Sequence, residues 1–412
     1  MINDFNDIAL MLYPHFVVHG GVEKHLLELS EELYRKASMT SILVSFNTDP
    51  FSYSILPVSS ITSAKEQKDV EYIHPLTIIR FRIPKTLGFL KKMPADVRMF
   101  FLARYYGSLI NQLLRNNGLL IRKGKLRIIY AAEPLAILAL RTIMSSLLNS
   151  IGKIVAGIHT DWNFRNYITK SIARSLLKDV DICVVNNINT LTYQRIKQLC
   201  NQTYFIPNWV DTSRFRPRDN IKEYIREKLG LPKHSTIILS IFRFTQEKNP
   251  LNLIKALKIV IDKYPDKVIS LIVGSGPLRK DIEIACQKLR LTNSVKIIDP
   301  IPHSHTLFPL IYNAADFFVL VPFHEGVSMV VLEALASGLP VVYSNVPGIP
   351  KNLSNSLLLA NPHSPLDIAE KILNVMENPE LRERLSTKGL ETVEKYYEKH
   401  KVLQMYLKTL LE

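Results

Sequence analysis

Short apolar runs alternate with amphipathic stretches along the first half of the chain. Residues 8–13 (IALMLY), 41–46, 127–131, 154–158 and 181–186 read as buried strands, each a brief apolar run between polar or turn residues. Between the first two, Val22, Leu26, Leu29 and Leu33 recur at helical spacing. Residues 94–114 predict a further helix, with Pro94 in the first turn, where no amide donor is needed.

The alternation restarts after residues 206–217 (IPNWVDTSRFRP), which carry no period of either kind and hold two prolines. Strands are expected at 235–242, 268–274, 294–299, 316–321 and 340–344. Helices are expected at 250–263, 277–288, 307–314 and 328–336, followed by two closing helices. Strand and helix in turn give an α/β chain with parallel sheets covered on both faces. The expected organisation is two Rossmann-like domains, 1–207 and 208–390, facing a central cleft. A last helical segment, 391–412, is expected to return to the first domain. Ligands then belong at the carboxyl ends of the strands.

Composition narrows the class. Of 412 residues, 47% are hydrophobic and 22% charged, as in ordinary soluble domains and unlike a disordered chain. Three cysteines are too few for a disulfide framework and suit a reducing compartment. No uncharged apolar run reaches the roughly 18 residues that a membrane-spanning helix needs. The first residues are acidic before they turn apolar, unlike a secretory leader, so a cytoplasmic protein, soluble or peripheral on the inner face of the membrane, is expected. The net charge is +15, and residues 80–127 hold twelve Lys and Arg against one acid, Asp96. Such a stretch attracts phosphates or an anionic membrane surface, the alternative being a plainly solvated helix face. Nucleic acid is not an expected partner, because Phe100, Phe101, Tyr105 and Tyr106 sit at helical spacing that suits core packing better than base stacking.

Five segments carry candidate chemistry. Gly20 and Gly21 follow a strand and open a helix, either as a plain tight turn or as one that lets backbone approach a ligand. Arg243 and Lys248 lie on one crossover loop and suit a diphosphate, although such a pair taken alone is more often a solvated charged loop. Residues 274–277 (GSGP) make a strand-to-helix turn and are not GxGxxG. Residues 321–342 (VPFHEGVSMVVLEALASGLPVV) place Glu325 and Gly326 in a loop, Ser328 at an N-cap and Glu333 inside an apolar helix that Gly338 and Pro340 close. A carboxylate there needs partners, either ribose hydroxyls or a local network. His159 follows a strand directly, with Asp161 two residues on. A lone histidine is more often structural than catalytic.

Taken in order, GGVEKHLLELSEEL, IPNWVDTSRF, RFTQEK, LIVGSGP and EGVSMVVLEALASGLPVV resemble the large GT-B glycosyltransferase family called family 4, the last segment matching its E-x7-E signature. The likeness spans nearly the whole chain and is strongest over 206–350. It implies a retaining transferase that takes a UDP- or GDP-linked nucleotide-diphospho-sugar, needs no metal or other cofactor, and acts on a glycan or lipid-linked acceptor bound by the N-terminal domain. Arg243 and Lys248 would hold the diphosphate, and Glu325 the donor sugar. Gly326, Val327, Ser328 and Met329 would offer backbone donors. Glu333 would meet the ribose, Gly20 and Gly21 would border the sugar, and His159 would face the reacting centre. Two positions depart from the family pattern: Trp209 stands where Gly is frequent, and Lys351 where Glu is frequent. A non-catalytic subunit of the same fold is the alternative. A two-Rossmann oxidoreductase fits worse, since 19–23 reads HGGVE and lacks GxGxxG.

Overall fold

A computed structural model describes residues 7–14, 21–46, 68–73, 76–81, 93, 95–116, 126–144, 152–159, 174–175, 177, 180–186 and 191–412. The chain divides into two units, Met1–Ile206 with Leu403–Glu412, and Pro207–Val402. The first unit contains β1 (Asp7–Leu12), α1 (Gly21–Ala37), β2 (Met39–Phe46), β3 (Lys68–Ile73), β4 (Leu76–Phe81), α2 (Ala95–Asn116), β5 (Leu126–Ala132), α3 (Glu133–Met144), β6 (Lys153–Ile158), β7 (Ile182–Val185), α4 (Leu191–Leu199) and β8 (Gln202–Phe205). Its sheet runs β3-β4-β2-β1-β5-β6-β7-β8, with only β3 antiparallel to its neighbour.

The second unit contains α5 (Lys222–Lys228), β9 (Thr236–Ile241), α6 (Pro250–Lys263), β10 (Val268–Val273), α7 (Arg279–Lys288), β11 (Val295–Ile298), α8 (Leu307–Ala314), β12 (Phe317–Leu320), α9 (Met329–Ala336), β13 (Val341–Ser344), α10 (Lys351–Ser354), β14 (Leu358–Ala360), α11 (Pro365–Glu377), α12 (Pro379–Tyr396) and α13 (Lys399–Leu411). Its sheet, ordered β11-β10-β9-β12-β13-β14, is wholly parallel. Helices cover both faces of such a sheet, so central strands are apolar on both sides, as the uninterrupted burial of β2, β7 and β12 illustrates. α13 starts in the second unit and passes into the first at Leu403, whereas residue 391, the expected start of the returning segment, lies inside α12.

Several expectations need correction. Arg80 is in β4 and only 1% exposed, so it is no part of a basic surface. Of the other cations in 80–127, Arg104, Arg115 and Arg127 are exposed, Arg127 pairing with Asp7 at 3.0 Å, and the rest lie outside the described side chains. Tyr106 is in the core, but Phe100 and Phe101 are 44% and 45% exposed rather than packed. Cys183 in β7 and Cys200 just after α4 form a disulfide, counter to the reducing setting that the low cysteine count suggested. Cys286 is buried, and burial pushes its thiol up to about 11.

One polar hub aligns the amino ends of β9 and β12. Asp316 accepts from the Ile237 amide at 2.7 Å, from Arg226 at 2.8 Å and from Lys222 at 2.7 Å. Arg226 is 4% exposed and also donates to the carbonyls of Ala314, Lys233 and Ser235. Asp316→Ala leaves a buried guanidinium without its counter-charge. The expected loss is roughly 3 kcal/mol, read as a lower denaturation midpoint.

Candidate functional site

The strand order itself locates the site. From β9 the chain builds outward through β10 and β11, then crosses to the other side of β9 for β12 and β13. β9 and β12 are therefore parallel neighbours whose connections leave in opposite directions, and a crevice opens at their carboxyl ends. Arg243 and Lys248 lie between β9 and α6; Glu325 and Gly326 lie between β12 and α9.

The two loops are fastened together. Lys248 Nζ is 2.9 Å from Glu325 Oε1, with the side chains 15% and 18% exposed. The Phe323 amide donates to the Glu247 carbonyl at 2.8 Å. Asn249, which sequence reading missed, donates its side-chain amide to the carbonyls of Val321 at 2.9 Å and Pro362 at 2.8 Å. It sits in the left-handed region at φ 56°, which asparagine tolerates better than most residues, directly before Pro250 opens α6. Arg243 is exposed, and its guanidinium makes no hydrogen bond or ion pair among the described residues.

The GSGP turn shapes the loop that carries Arg243. The Phe244 amide donates to the Ser275 carbonyl at 2.8 Å, and the Leu278 amide to the Phe244 carbonyl at 3.0 Å. A Cβ at Gly274 would lie 2.0 Å from the Phe242 oxygen. A Cβ at Gly276, where φ is +151°, would lie 2.7–2.9 Å from Phe244 backbone. Both glycines serve close backbone approach.

At the mouth of α9, Ser328 has the extended backbone of an N-cap but its side chain makes no capping bond, a correction to the expected cap. The first-turn amides are thus not engaged by the serine hydroxyl. The mouth is held from behind instead: Asn208 donates to the Val327 carbonyl at 2.7 Å and Tyr343 to the Gly326 carbonyl at 3.4 Å. Val327 and Ser328 are buried, while Gly326 and Met329 are half-buried. Asn208 belongs to the stretch that the sequence marks only as a connection, and Val210 in the same stretch bonds across to Tyr397 and Lys399. Trp209 is buried, and Lys351 starts the short helix α10.

Glu333 is 1% exposed, and its carboxylate is bonded within this unit. Tyr312 donates to Oε2 at 2.7 Å, and His303 Nε2 lies 2.9 Å from Oε1. Arg214 approaches the other ring nitrogen of His303 at 3.4 Å and donates to the His303 carbonyl at 2.7 Å. Since Arg only donates, Nδ1 accepts and Nε2–H is left to donate to the carboxylate. Burial, and Glu333 beside it, push the Tyr312 phenol well above its ordinary value. The local network, one of the two alternatives for this carboxylate, is thus present.

In the first unit the corresponding crossing point lies between β1 and β5. Gly20 is outside the described residues, as is Asp161, and Gly21 is the first residue of α1. His159 follows β6, next to β5, with its Nε2 3.0 Å from the Tyr130 hydroxyl. Its ring meets that of His25 edge-on at 4.6 Å. Burial lowers His159 from 6.5 to about 4. His25 is lowered well below 6.5 by burial and then by its proximity to His159. Among the described residues no group of three or more His, Cys, Asp or Glu could hold a metal ion.

The fold is that of GT-B glycosyltransferases. Sucrose-phosphate synthase from Thermosynechococcus elongatus matches with a TM-score of 0.75 over 98% of this chain and 99% of that one, at 20% identity. Residues 221–392 match the family described as Glycosyl transferases group 1, a stretch that holds Arg243, Lys248, Glu325 and Glu333. A D-inositol 3-phosphate glycosyltransferase of Corynebacterium glutamicum (strain R) is 29% identical over 42% of this chain and 43% of its own length. An alpha-monoglucosyldiacylglycerol synthase of Streptococcus pneumoniae (strain ATCC BAA-255 / R6) is 29% identical over 60% of this chain and 56% of its own. The chain thus matches only about half the length of these curated relatives.

The neutral imidazoles of buried His25 and half-buried His159 make stability sensitive to acid. Their folded pKa values lie below the unfolded ones, so the unfolded chain binds more protons below about pH 6.5 and stability falls from there towards pH 4. For His159 alone the loss is roughly 2 kcal/mol at pH 5. Unfolding midpoints measured from pH 7 to pH 4.5 are expected to drop, and the drop to be shallower in His159→Phe.

Proposed function

We propose that the chain is a retaining glycosyltransferase that moves a sugar from a nucleotide-diphospho-sugar to a glycan or lipid-linked acceptor. The observation that carries this reading is the joined pair of loops at the β9/β12 crossing point, where Arg243, Lys248, Glu325 and the mouth of α9 share one edge of one sheet. A departing diphosphate needs fixed positive charge and unengaged amides. Arg243 grips two oxygens, Lys248 acts as a point charge after exchanging Glu325 for phosphate, and the first-turn amides of α9 face the remaining oxygens. Glu325, once released, is free to accept from hydroxyls of the donor sugar.

In the transfer, the acceptor hydroxyl attacks the anomeric carbon on the face from which the diphosphate departs. The new glycosidic bond forms as the sugar–phosphate bond breaks, the hydroxyl proton passes to a phosphate oxygen, and the nucleoside diphosphate leaves. Arg243 and Lys248 carry the charge neutralisation. His159, at the carboxyl edge of the first unit's sheet, serves the transfer as a neutral imidazole that donates to a sugar hydroxyl.

The acceptor reading draws on one relative, named for the synthesis of a glucosyl diacylglycerol, and on α2. On that helix Phe100 and Phe101 are exposed, with Arg104 a turn further on and Arg115 on its last turn, a composition that suits a peripheral site on an anionic membrane face. Among the described residues no helix is long and apolar enough to cross a membrane.

With purified full-length protein and radiolabelled UDP- and GDP-sugars, transfer or slow donor hydrolysis is expected. Arg243→Ala and Lys248→Ala should each lower turnover by about 100-fold or more. Wild-type turnover in both variants overturns the assignment. Ligand binding without any donor breakdown identifies a non-catalytic subunit. In a separate experiment the protein should sediment with vesicles containing anionic lipid and less with zwitterionic ones. Phe100→Ser with Phe101→Ser should weaken that binding; equal sedimentation with both vesicle types argues against membrane docking.

A further inference from the structure

Four aromatic side chains from four elements meet at the carboxyl edge of the first unit's sheet: His25 of α1, Tyr130 of β5, His159 after β6 and Tyr406 of α13. Tyr130 pairs in register with Val155 of β6, and alternate positions 155, 157 and 159 lie on the same side of the strand. The Tyr130 ring runs along that side over Gly157 to reach His159. The absent side chain at Gly157 makes the path: a Cβ there would lie 2.4 Å from the Tyr130 hydroxyl and 2.6 Å from its Cζ. The hydroxyl ends 3.0 Å from His159 Nε2.

The other two rings close the group. His25 meets His159 at 4.6 Å and Tyr406 at 4.7 Å, edge-on in both cases. Tyr130, Tyr406 and His25 are 1%, 0% and 3% exposed, whereas His159 is half-buried and so presents one side outward. Burial, with Tyr130 alongside, pushes the Tyr406 phenol well above its ordinary value, so it stays protonated. A phenol is a good donor, and the unprotonated nitrogen of a neutral imidazole is a good acceptor. The bond between Tyr130 and His159 is best made by the tyrosine donating to Nε2, which leaves the ring proton on Nδ1.

We propose that Tyr130 is a positioning residue that fixes His159 as its Nδ1–H tautomer and leaves that N–H to donate to a sugar hydroxyl at the carboxyl edge of the first unit's sheet. Gly157 clears the way for Tyr130, and Tyr406 and His25 brace the pair. The inference rests on His159 serving the transfer proposed above. The low proton affinity of His159 is consistent with it: the ring acts as a neutral donor at pH 7 and not as a charged one.

The test uses full-length protein labelled with 15N-histidine. In the wild type, His159 should show a protonated Nδ1 and a bare Nε2. Tyr130→Phe, which keeps the ring and removes only the hydroxyl, should shift His159 towards the Nε2–H form. The same variant should lower kcat about tenfold with the donor KM within about twofold and the unfolding midpoint nearly unchanged. The double variant Tyr130→Phe with His159→Ala should be no slower than His159→Ala alone. Gly157→Ala, which pushes the hydroxyl off the ring, should reproduce the tautomer shift. An Nε2–H form in the wild type, an unchanged tautomer in Tyr130→Phe, or a fully active Tyr130→Phe overturns the proposal. If His159→Ala keeps full activity, the role given to His159 in transfer fails, while the spectra still judge the hold of Tyr130 on the ring.

Discussion

The Lys248–Glu325 ion pair is the contact on which the proposed site depends. It joins the loop after β9 to the loop after β12 at 2.9 Å, and both side chains are largely out of water. Half-buried charges are costly when single, so each holds the other in place until something better arrives. A diphosphate is a better partner for the lysine than one carboxylate is, and sugar hydroxyls are good partners for the carboxylate released. Arg243, with no ion pair among the described residues, adds the second positive charge. The crossing of the chain between β9 and β12 brings these groups to one edge. Asn249, Asn208 and the close backbone approach at Gly274 and Gly276 keep the loops from drifting.

The two carboxylates of the E-x7-E segment are treated differently. Glu325 sits in a loop against a lysine. Glu333 is sealed inside α9, bonded to Tyr312 and to a histidine whose tautomer Arg214 sets. One joins two loops through an ion pair, and the other is part of a network that also ties in the segment around Arg214. The first unit contrasts with both. Its histidine group is neutral, held so by burial, and offers directed hydrogen bonds instead of charge. The second unit thus offers fixed charge at its sheet edge, and the first offers neutral hydrogen-bonding groups at its own.

The strands that read clearly in the sequence are those with uninterrupted apolar runs, because parallel strands buried on both faces have no polar positions to interrupt them. The helix over residues 250–263 is legible for another reason: Pro250 marks its start and an apolar stripe follows. β3 (KDVEYI) is not legible, since its charges interrupt any apolar run and it pairs antiparallel at the sheet edge. At the site, Arg243, Lys248 and Glu325 are readable because each falls between a legible strand end and a legible helix start, which is where the sheet's carboxyl edge lies. Asn208, Asn249 and His303 are not, because each acts through partners 30 to 119 positions away that only the fold brings near. Phe100 and Phe101 mislead for the opposite reason: helical spacing fixes which residues share a face, not whether that face is covered.

The most direct test of the central claim is the dependence of binding on the second phosphate. Calorimetric titration of the full-length protein with nucleoside mono- and diphosphates of uridine, guanosine and adenosine isolates that contribution. One base is expected to bind at least about tenfold tighter as its diphosphate than as its monophosphate, and that advantage should vanish in Arg243→Ala and in Lys248→Ala. Equal binding of mono- and diphosphates, or an advantage that survives both substitutions, would contradict a diphosphate site at the joined loops.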